Sequence, residues 1–233
     1  MREKYEQKGV AMTCRSYQEY LDMFMLDEEV MARGPVLDVA SGASSFVQEM
    51  NKKGYKATAV DPMYQEDASF LQRRGLDEIE ESTKKLADVQ HLFQWAYYGS
   101  LENHYNNRKD SLAKFIADYQ GNSVEPRYKY GTLPNLPFGD ETFSLILCSH
   151  FLFLYGEQFD YSFHLKAVQE LLRICAPGGE IRIYPIVGFD GEDNPQINRL
   201  IQELQSEGVR VSLAPTTFRF LKGATRYLHI NKA

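Results

Sequence analysis

Two hydrophobic patterns alternate along most of this chain. Short apolar runs bounded by Gly, Pro, Asp or Asn predict strands, and apolar positions recurring three and four residues apart predict helices. The predicted strands are VLDV (36–39), YKATAV (55–60), RYKYGTL (127–133), FSLILC (143–148), EIRIYPIV (180–187), VRVSLA (209–214) and TRYLHI (225–230). The predicted helices cover 16–31, 44–53, 108–119, 163–175 and 195–206, with further helical spacing from Ile79 to Phe93.

The order of these segments is that of an α/β domain. Ser16 with Glu19 three residues later forms a capping-box signature at the start of the helix predicted over 16–31. Strand 36–39, helix 44–53 and strand 55–60 then form one βαβ unit, whose strands should be parallel. The last two strands alternate polar and apolar residues and predict an antiparallel hairpin, joined by a short loop, at the sheet edge.

The region from about 64 to 126 breaks this alternation. It has no strand-like run, it carries helical spacing, and it is rich in aromatic residues. A connection of this length is unusual in an α/β sheet, so we interpret it as a helical insertion within one domain that spans residues 1–233. Its aromatic side chains either pack the insertion on the sheet or line a lid over a bound molecule.

Composition narrows the range of partners. The chain has 233 residues, 43% hydrophobic and 25% charged, with a net charge of −6, which gives no electrostatic case for nucleic acid or an anionic membrane. No apolar run reaches the length of a signal peptide core or a membrane span. Three widely spaced cysteines, Cys14, Cys148 and Cys175, indicate reduced thiols and a cytoplasmic protein. The five histidines form no metal-ligand spacing, so we expect no metal.

The stretch VLDVASGASSF suggests the chemistry. In an open parallel sheet, ligands bind beyond the carboxyl ends of the strands. Asp38 ends the first strand, and Asp61 ends the second at the position where an acid would bind ribose hydroxyls. The loop has only Gly42 where dinucleotide-binding loops carry three glycines, and an acid before it would repel a pyrophosphate. A ligand that carries a sulfonium cation and no phosphate is more compatible with Asp38 than a dinucleotide is.

Four motifs in order resemble the class I S-adenosylmethionine-dependent methyltransferases. VLDVASGAS is similar to their first strand and glycine loop, and ATAVDPMY to their second strand with its ribose-binding acid. LPNLPFGDETFSLILCSH is similar to the approach to their fourth strand, and ELLRICAPGGEIRIY to the helix, turn and fifth strand after it. SSF, DPMY and SHFLFLY together also resemble a group of bacterial proteins within that family. The resemblance implies a Rossmann-like, mostly parallel seven-stranded sheet with an antiparallel edge hairpin, and S-adenosylmethionine as the cofactor.

The resemblance also implies site residues. Asp38, Ala40, Ser41 and Gly42 would contact the methionine part of the cofactor, and Asp61 the ribose. The other implied cofactor contacts come from the second, third and fourth strands and from the N-terminal helix that would cover the cofactor: Pro62, Met63, Thr132, Leu133, Cys148, Ser149 and Tyr20. Ala40 and Ser44 replace two glycines of the family loop, so we expect a tighter backbone there.

His150, just past the fourth strand, is the candidate catalytic residue. A histidine there could accept a proton from a hydroxyl acceptor at neutral pH, or could simply be a packed residue. The expected function is methyl transfer to an O or N atom of a small molecule. Two alternatives stay open, namely a peptide, protein or RNA methyltransferase, and a protein that binds S-adenosylmethionine without turnover.

Overall fold

A seven-stranded sheet is the centre of the protein, seen in a computed structural model that describes residues 5, 7, 9–121, 126–156 and 158–233. The strands are β1 (Val36–Val39), β2 (Ala57–Asp61), β3 (Tyr128–Tyr130), β4 (Phe143–Ser149), β5 (Cys175–Tyr184), β6 (Arg210–Pro215) and β7 (Arg226–Asn231). Their order across the sheet is β3-β2-β1-β4-β5-β7-β6. Only β7 is antiparallel to its neighbours β5 and β6. This confirms the predicted Rossmann-like fold.

The register brings the carboxyl ends of the central strands to one edge. β1 lies between β2 and β4, with Asp38 opposite Ala59 on one side and Leu147 on the other. All four residues of β1 are buried, as expected for a central parallel strand covered on both faces. The chain therefore reverses its strand order beside β1, which is where open α/β sheets bind ligands.

Seven α-helices, together with two short 3₁₀ helices (Pro62–Gln65 and Gln90–Leu92), connect the strands in the described residues. The α-helices are α1 (Tyr17–Phe24), α2 (Glu28–Ala32), α3 (Phe46–Lys52), α4 (Ala68–Asp88), α5 (Leu101–Gly121), α6 (Tyr161–Ile174) and α7 (Ile197–Ser206).

The N-terminal helix differs from the sequence prediction. The single helix expected over 16–31 is two helices, because Met25 takes a left-handed conformation (φ 52°) and Asp27 caps a new start through the backbone N–H of Val30. The apolar spacing continues across this break, so periodicity alone could not reveal it. The predicted capping box at Ser16 and Glu19 is present.

The insertion between β2 and β3 consists of two long helices, α4 and α5, packed together. A Cβ added at Gly75 would lie 2.6 Å from Leu112 Cδ1, so the helices approach closely at this glycine. Helix α5 starts at Leu101, well before the predicted residue 108. The insertion's predicted end near 126 follows residues 122–125, which lie outside the described residues.

Three further local predictions differ from the structure. The Pro-Gly-Gly segment belongs to β5, which begins at Cys175 and shifts its register against β4. The helix predicted over 195–206 begins at Ile197, and Asn194 Oδ1 accepts from the backbone N–H of Gln196, the residue before this helix. The link between β6 and β7 is a longer loop (216–225), and its Phe220 ring stacks on Phe93 of the insertion.

Within the described residues, no helix is long and apolar enough to cross a membrane.

Candidate functional site

A cavity of about 370 Å³ opens where β1, β2, β3 and β4 end; we call it the strand-end cavity. It brings together seven of the residues singled out in the sequence: Ala40, Asp61, Pro62, Met63, Thr132, Leu133 and His150. Three phenylalanines that the sequence reasoning did not single out, Phe151, Phe159 and Phe163, complete an aromatic wall. The Phe159 and Phe163 rings stack with their centroids 4.3 Å apart.

The loop after β1 is a tight turn covered by the N-terminal segment 11–15. Ala40 and Gly42 are both left-handed, with φ 53° and 58°. The backbone N–H of Ala43 donates to Thr13 O at 3.0 Å, and that of Ser45 to Arg15 O at 2.9 Å. Because a Cβ on Gly42 would lie 2.9 Å from Thr13 O, only glycine fits under this segment without movement.

The two missing glycines therefore have different consequences. Ala40 occupies a left-handed conformation that costs an L-residue about 1–2 kcal/mol, so the loop carries strain at this position. Ser44, at the position of the family loop's third glycine, does not have a positive φ, so it carries no such strain. Its hydroxyl accepts from the backbone N–H of Phe46 at 3.0 Å. Ser44 thereby satisfies a donor at the start of α3.

Asp38 is fully buried beside this loop and does not line the strand-end cavity. Its carboxylate accepts from Tyr20 Oη at 3.0 and 2.9 Å and from Ser41 Oγ at 2.6 Å. Burial raises the pKa of Asp38 to about 7, although the hydrogen bonds from Ser41 and Tyr20 oppose the shift. The residue therefore ties helix α1 to the loop through side-chain hydrogen bonds.

Asp61 lines the strand-end cavity and organises the same loop from the other side. Its two carboxylate oxygens accept from the backbone N–H groups of Gly42 at 3.0 Å and Met63 at 2.9 Å. Burial raises the pKa of Asp61, and these two hydrogen bonds act in the opposite direction. The Tyr64 hydroxyl donates to Gly42 O at 2.7 Å, so the backbone N–H and the backbone carbonyl of Gly42 both have hydrogen-bond partners.

Six of the predicted cofactor contacts are not part of this lining: Asp38, Tyr20, Ser41, Gly42, Cys148 and Ser149. Cys148 is buried in β4, and burial raises the pKa of its thiol to about 12, so it is no nucleophile at neutral pH. Ser149 is also buried, and its hydroxyl lies 2.8 Å from His150 Nδ1. These residues support the loop and the strand ends from behind.

His150 follows β4 in a left-handed conformation (φ 51°), an uncommon backbone for a non-glycine residue. Its backbone N–H donates to Tyr184 O at 2.6 Å, which fixes this turn to β5. Burial, reinforced by Arg15 and Arg108, lowers the pKa of His150 well below its ordinary value. The imidazole is therefore neutral at pH 7, with Nδ1 beside the Ser149 hydroxyl.

A second cavity, of about 120 Å³, lies between segment 11–15, the insertion and loop 216–225; we call it the insertion cavity. Its walls include Ile79, His104 and Arg108 of the insertion and Phe220 of the loop. Four residues line both cavities: Ala11, Met12, Thr13 and His150. The two cavities are therefore neighbours that share this segment and the His150 imidazole as part of their walls.

A buried ion cluster beside the insertion cavity was missed in the sequence. Glu19 accepts from Arg15 Nη1 at 3.1 Å and from Arg108 Nη1 at 2.7 Å, and the Tyr98 hydroxyl also donates to it. Burial alone would raise the pKa of Glu19, but Arg108 and Arg15 hold it well below its usual range. The sequence indicates only a capping role for Glu19, because its partner Arg108 is 89 residues further along the chain.

Comparison with known proteins identifies the family. No protein-family model matches the chain. The uncharacterized protein MJ0045 of Methanocaldococcus jannaschii is 34% identical over 234 residues, an alignment that covers 97% of each chain. The chain belongs to the MJ0045 family. Because the alignment is nearly end to end, it extends over the residues of the insertion as well as those of the sheet.

Solved structures place the MJ0045 family fold among known ones. An O-methyltransferase family protein from Burkholderia thailandensis is similar over 93% of this chain and 56% of its own, with 13% identity and a TM-score of 0.51. A SAM-dependent methyltransferase from Aquifex aeolicus is similar over 91% of each chain, with 17% identity and a TM-score of 0.43. With the observed strand order, the first likeness shows a Rossmann-like methyltransferase fold.

Proposed function

We propose that this protein is an S-adenosylmethionine-dependent methyltransferase that moves a methyl group to an O or N atom of a small molecule. The observation that carries the proposal is the strand-end cavity, where Asp61 stands at the tip of β2 beside the glycine loop. In a fold of this class, that is the position from which an acid binds ribose hydroxyls. The four sequence motifs support the same cofactor.

The residues present fit this cofactor. A volume of about 370 Å³ lies within the range of small-molecule sites. Asp61 would hold the ribose, Pro62 and Met63 would flank the adenine, and Thr132 and Leu133 would meet its edge. A dinucleotide fits less well, because the Asp61 carboxylate already accepts from the Gly42 N–H that a pyrophosphate would need. Asp38 is a positioning residue in this account, acting through Ser41 and Tyr20.

When bound, S-adenosylmethionine would supply a methyl group activated by its sulfonium, so that an acceptor could take it by direct displacement. The chain's own task is to align the acceptor, exclude water and receive a proton. His150 is our candidate for the last step, because it lines both cavities and its imidazole is neutral, although its lowered pKa makes it a weak base. Its Nδ1 meets the Ser149 hydroxyl, which leaves Nε2 for the proton of a hydroxyl acceptor.

Two features favour a small acceptor over a peptide or RNA. The insertion cavity, at about 120 Å³, is too small for a polymer segment, and the net charge of −6 repels a polyanion.

We also propose a cytoplasmic location. The three free cysteines, all buried, fit a reducing compartment.

Transfer of a tritium-labelled methyl group from S-adenosylmethionine to fractions of a cell extract tests the activity. We expect labelled small molecules with the parent protein. His150→Asn keeps a side chain that tolerates left-handed backbone but removes the basic nitrogen, so labelling should fall by about 10²-fold or more. Full labelling by His150→Asn would remove His150 as the base. Label found only in protein or RNA fractions would contradict the small-molecule assignment.

A further inference from the structure

The insertion cavity holds more buried positive than negative charge. Arg15 and Arg108 are 8% and 4% exposed, and within the described residues the carboxylate they share is Glu19, which is fully buried. Glu78, the acid that lines the cavity itself, is already paired with Arg74 at 2.5 Å. The two guanidinium groups therefore share one carboxylate among the described residues, and the Arg15 guanidinium also lies over the Phe218 ring at 5.8 Å. One buried positive charge still lacks an acidic partner, which is costly.

Two unpartnered polar atoms lie at this cavity. Arg15 Nε and His104 Nδ1 are buried and have no hydrogen-bond partner in the described part of the chain. Both residues line the cavity, and His104 is 4% exposed. Native proteins leave few such groups unsatisfied, and an unmade hydrogen bond here indicates a missing partner.

The arginines differ in how fully they are used. Arg108 donates to Glu19, to Cys14 O at 3.0 Å and to Tyr98 Oη at 2.8 Å. Among the residues that the structure describes, the Arg15 side chain donates to Glu19, through Nη1, and to no other group. The free capacity for an anion therefore belongs to Arg15, whose planar fork matches a carboxylate.

The remaining walls are aromatic and the space is that of one ring. Tyr5, Phe93, Tyr155 and Phe220 line a cavity of about 120 Å³. An apolar cavity of roughly 150 Å³ in another protein holds benzene. A single ring is thus the largest group that this wall accepts without movement.

We infer that the methyl acceptor is a ring-sized carboxylic acid whose carboxylate binds Arg15 and whose ring fills the insertion cavity. A hydroxyl or amine on that ring, next to His150, would take the methyl group from the sulfonium and give up its proton. The inference rests on the proposed methyltransferase function and deepens it by naming the class of acceptor. It accounts together for the surplus charge, the free Nε of Arg15 and the aromatic walls. His150, which lines both cavities, then lies beside both this acceptor and the cofactor residues.

Binding of benzoate and of its neutral analogue benzamide tests the inference. Isothermal titration in low-chloride buffer, with S-adenosylhomocysteine at saturation, should give a dissociation constant at least about tenfold lower for benzoate, since a hydrogen bond to a charged group contributes about 1.5–3 kcal/mol. Arg15→Met, which keeps the side-chain length, should remove that preference. Equal binding of the two probes by the parent protein, or an unchanged preference in Arg15→Met, would overturn the inference.

Stability separates a ligand role from a structural one. Without ligand, Arg15→Met should have a melting temperature equal to or above that of the parent, because it leaves one Arg108–Glu19 pair. Arg108→Met, the matched control, should lower it. If Arg15→Met is as destabilised as Arg108→Met, then Arg15 serves the fold, and the inference fails.

Binding of S-adenosylhomocysteine to Arg15→Met shows whether Arg15 binds the carboxylate of the acceptor or that of the cofactor. Arg15→Met should bind S-adenosylhomocysteine as tightly as the parent; weaker binding would assign Arg15 to the cofactor's own carboxylate and refute an acceptor role. A parent protein that binds S-adenosylhomocysteine but does not prefer benzoate refutes this inference alone. A parent that prefers benzoate but binds no S-adenosylhomocysteine refutes the methyltransferase proposal instead.

Discussion

Gly42→Ala tests the packing of segment 11–15 on the loop after β1. The new Cβ would lie 2.9 Å from Thr13 O and 3.0 Å from Thr13 N, and both are backbone atoms that cannot swing aside. The left-handed backbone at φ 58° adds about 1–2 kcal/mol for an L-residue. Overpacking adds about 1–3 kcal/mol. We therefore expect a loss of about 2–5 kcal/mol in the free energy of unfolding.

Ala40→Gly is the matched control two residues away. It relieves about 1–2 kcal/mol of left-handed strain at φ 53°, whereas the greater unfolded-state freedom of glycine costs about 0.5–1 kcal/mol. Ala40→Gly should therefore be as stable as the parent or at most about 1.5 kcal/mol more stable. Urea denaturation of both variants measures the difference, and a thermal scan should show Gly42→Ala lower by roughly 5 °C or more. Equal stability of Gly42→Ala and the parent would show that segment 11–15 is not packed on the loop.

Three further substitutions test other parts of the account. Glu19→Gln leaves Arg15 and Arg108 buried without a carboxylate and should cost about 3–5 kcal/mol in urea denaturation; a loss below about 1 kcal/mol would contradict the buried cluster. Burial raises the pKa of Asp38 to about 7, so this group should lower the parent's stability as the pH rises from about 4 to 7, and Asp38→Asn should flatten that slope; identical pH profiles would argue against the raised pKa. Ser44→Ala should cost about 0.5–2 kcal/mol by freeing the Phe46 N–H, and a neutral effect would exclude this cap.

The sheet could be predicted from local sequence because its strands are short apolar runs ended by Asp, Gly or Pro. Asp38 and Asp61 predict where β1 and β2 end, and the strand-end cavity lies beside those two ends. The break between α1 and α2 could not be predicted, because Leu26, Val30 and Met31 continue the apolar spacing through a backbone change at Met25.

The part of the site that depends on distant contacts was not visible in the sequence. Segment 11–15 has no periodic pattern, yet its carbonyls hold the loop after β1. Arg108 lies on an insertion helix whose polar residues look solvated, and only the fold brings it to Glu19. Local pattern predicts secondary structure, whereas a buried ion pair between remote residues follows from tertiary packing.

Direct binding of the cofactor tests the central claim. Isothermal titration should show that the parent binds S-adenosylmethionine and S-adenosylhomocysteine, and that Asp61→Ala binds each roughly 10- to 100-fold more weakly, as expected for loss of hydrogen bonds to a carboxylate. Asp77→Ala, the same change at an exposed position of α4, should bind like the parent. Circular dichroism confirms that each variant is folded. Absence of binding by the folded parent, or unchanged affinity in Asp61→Ala, would contradict the account.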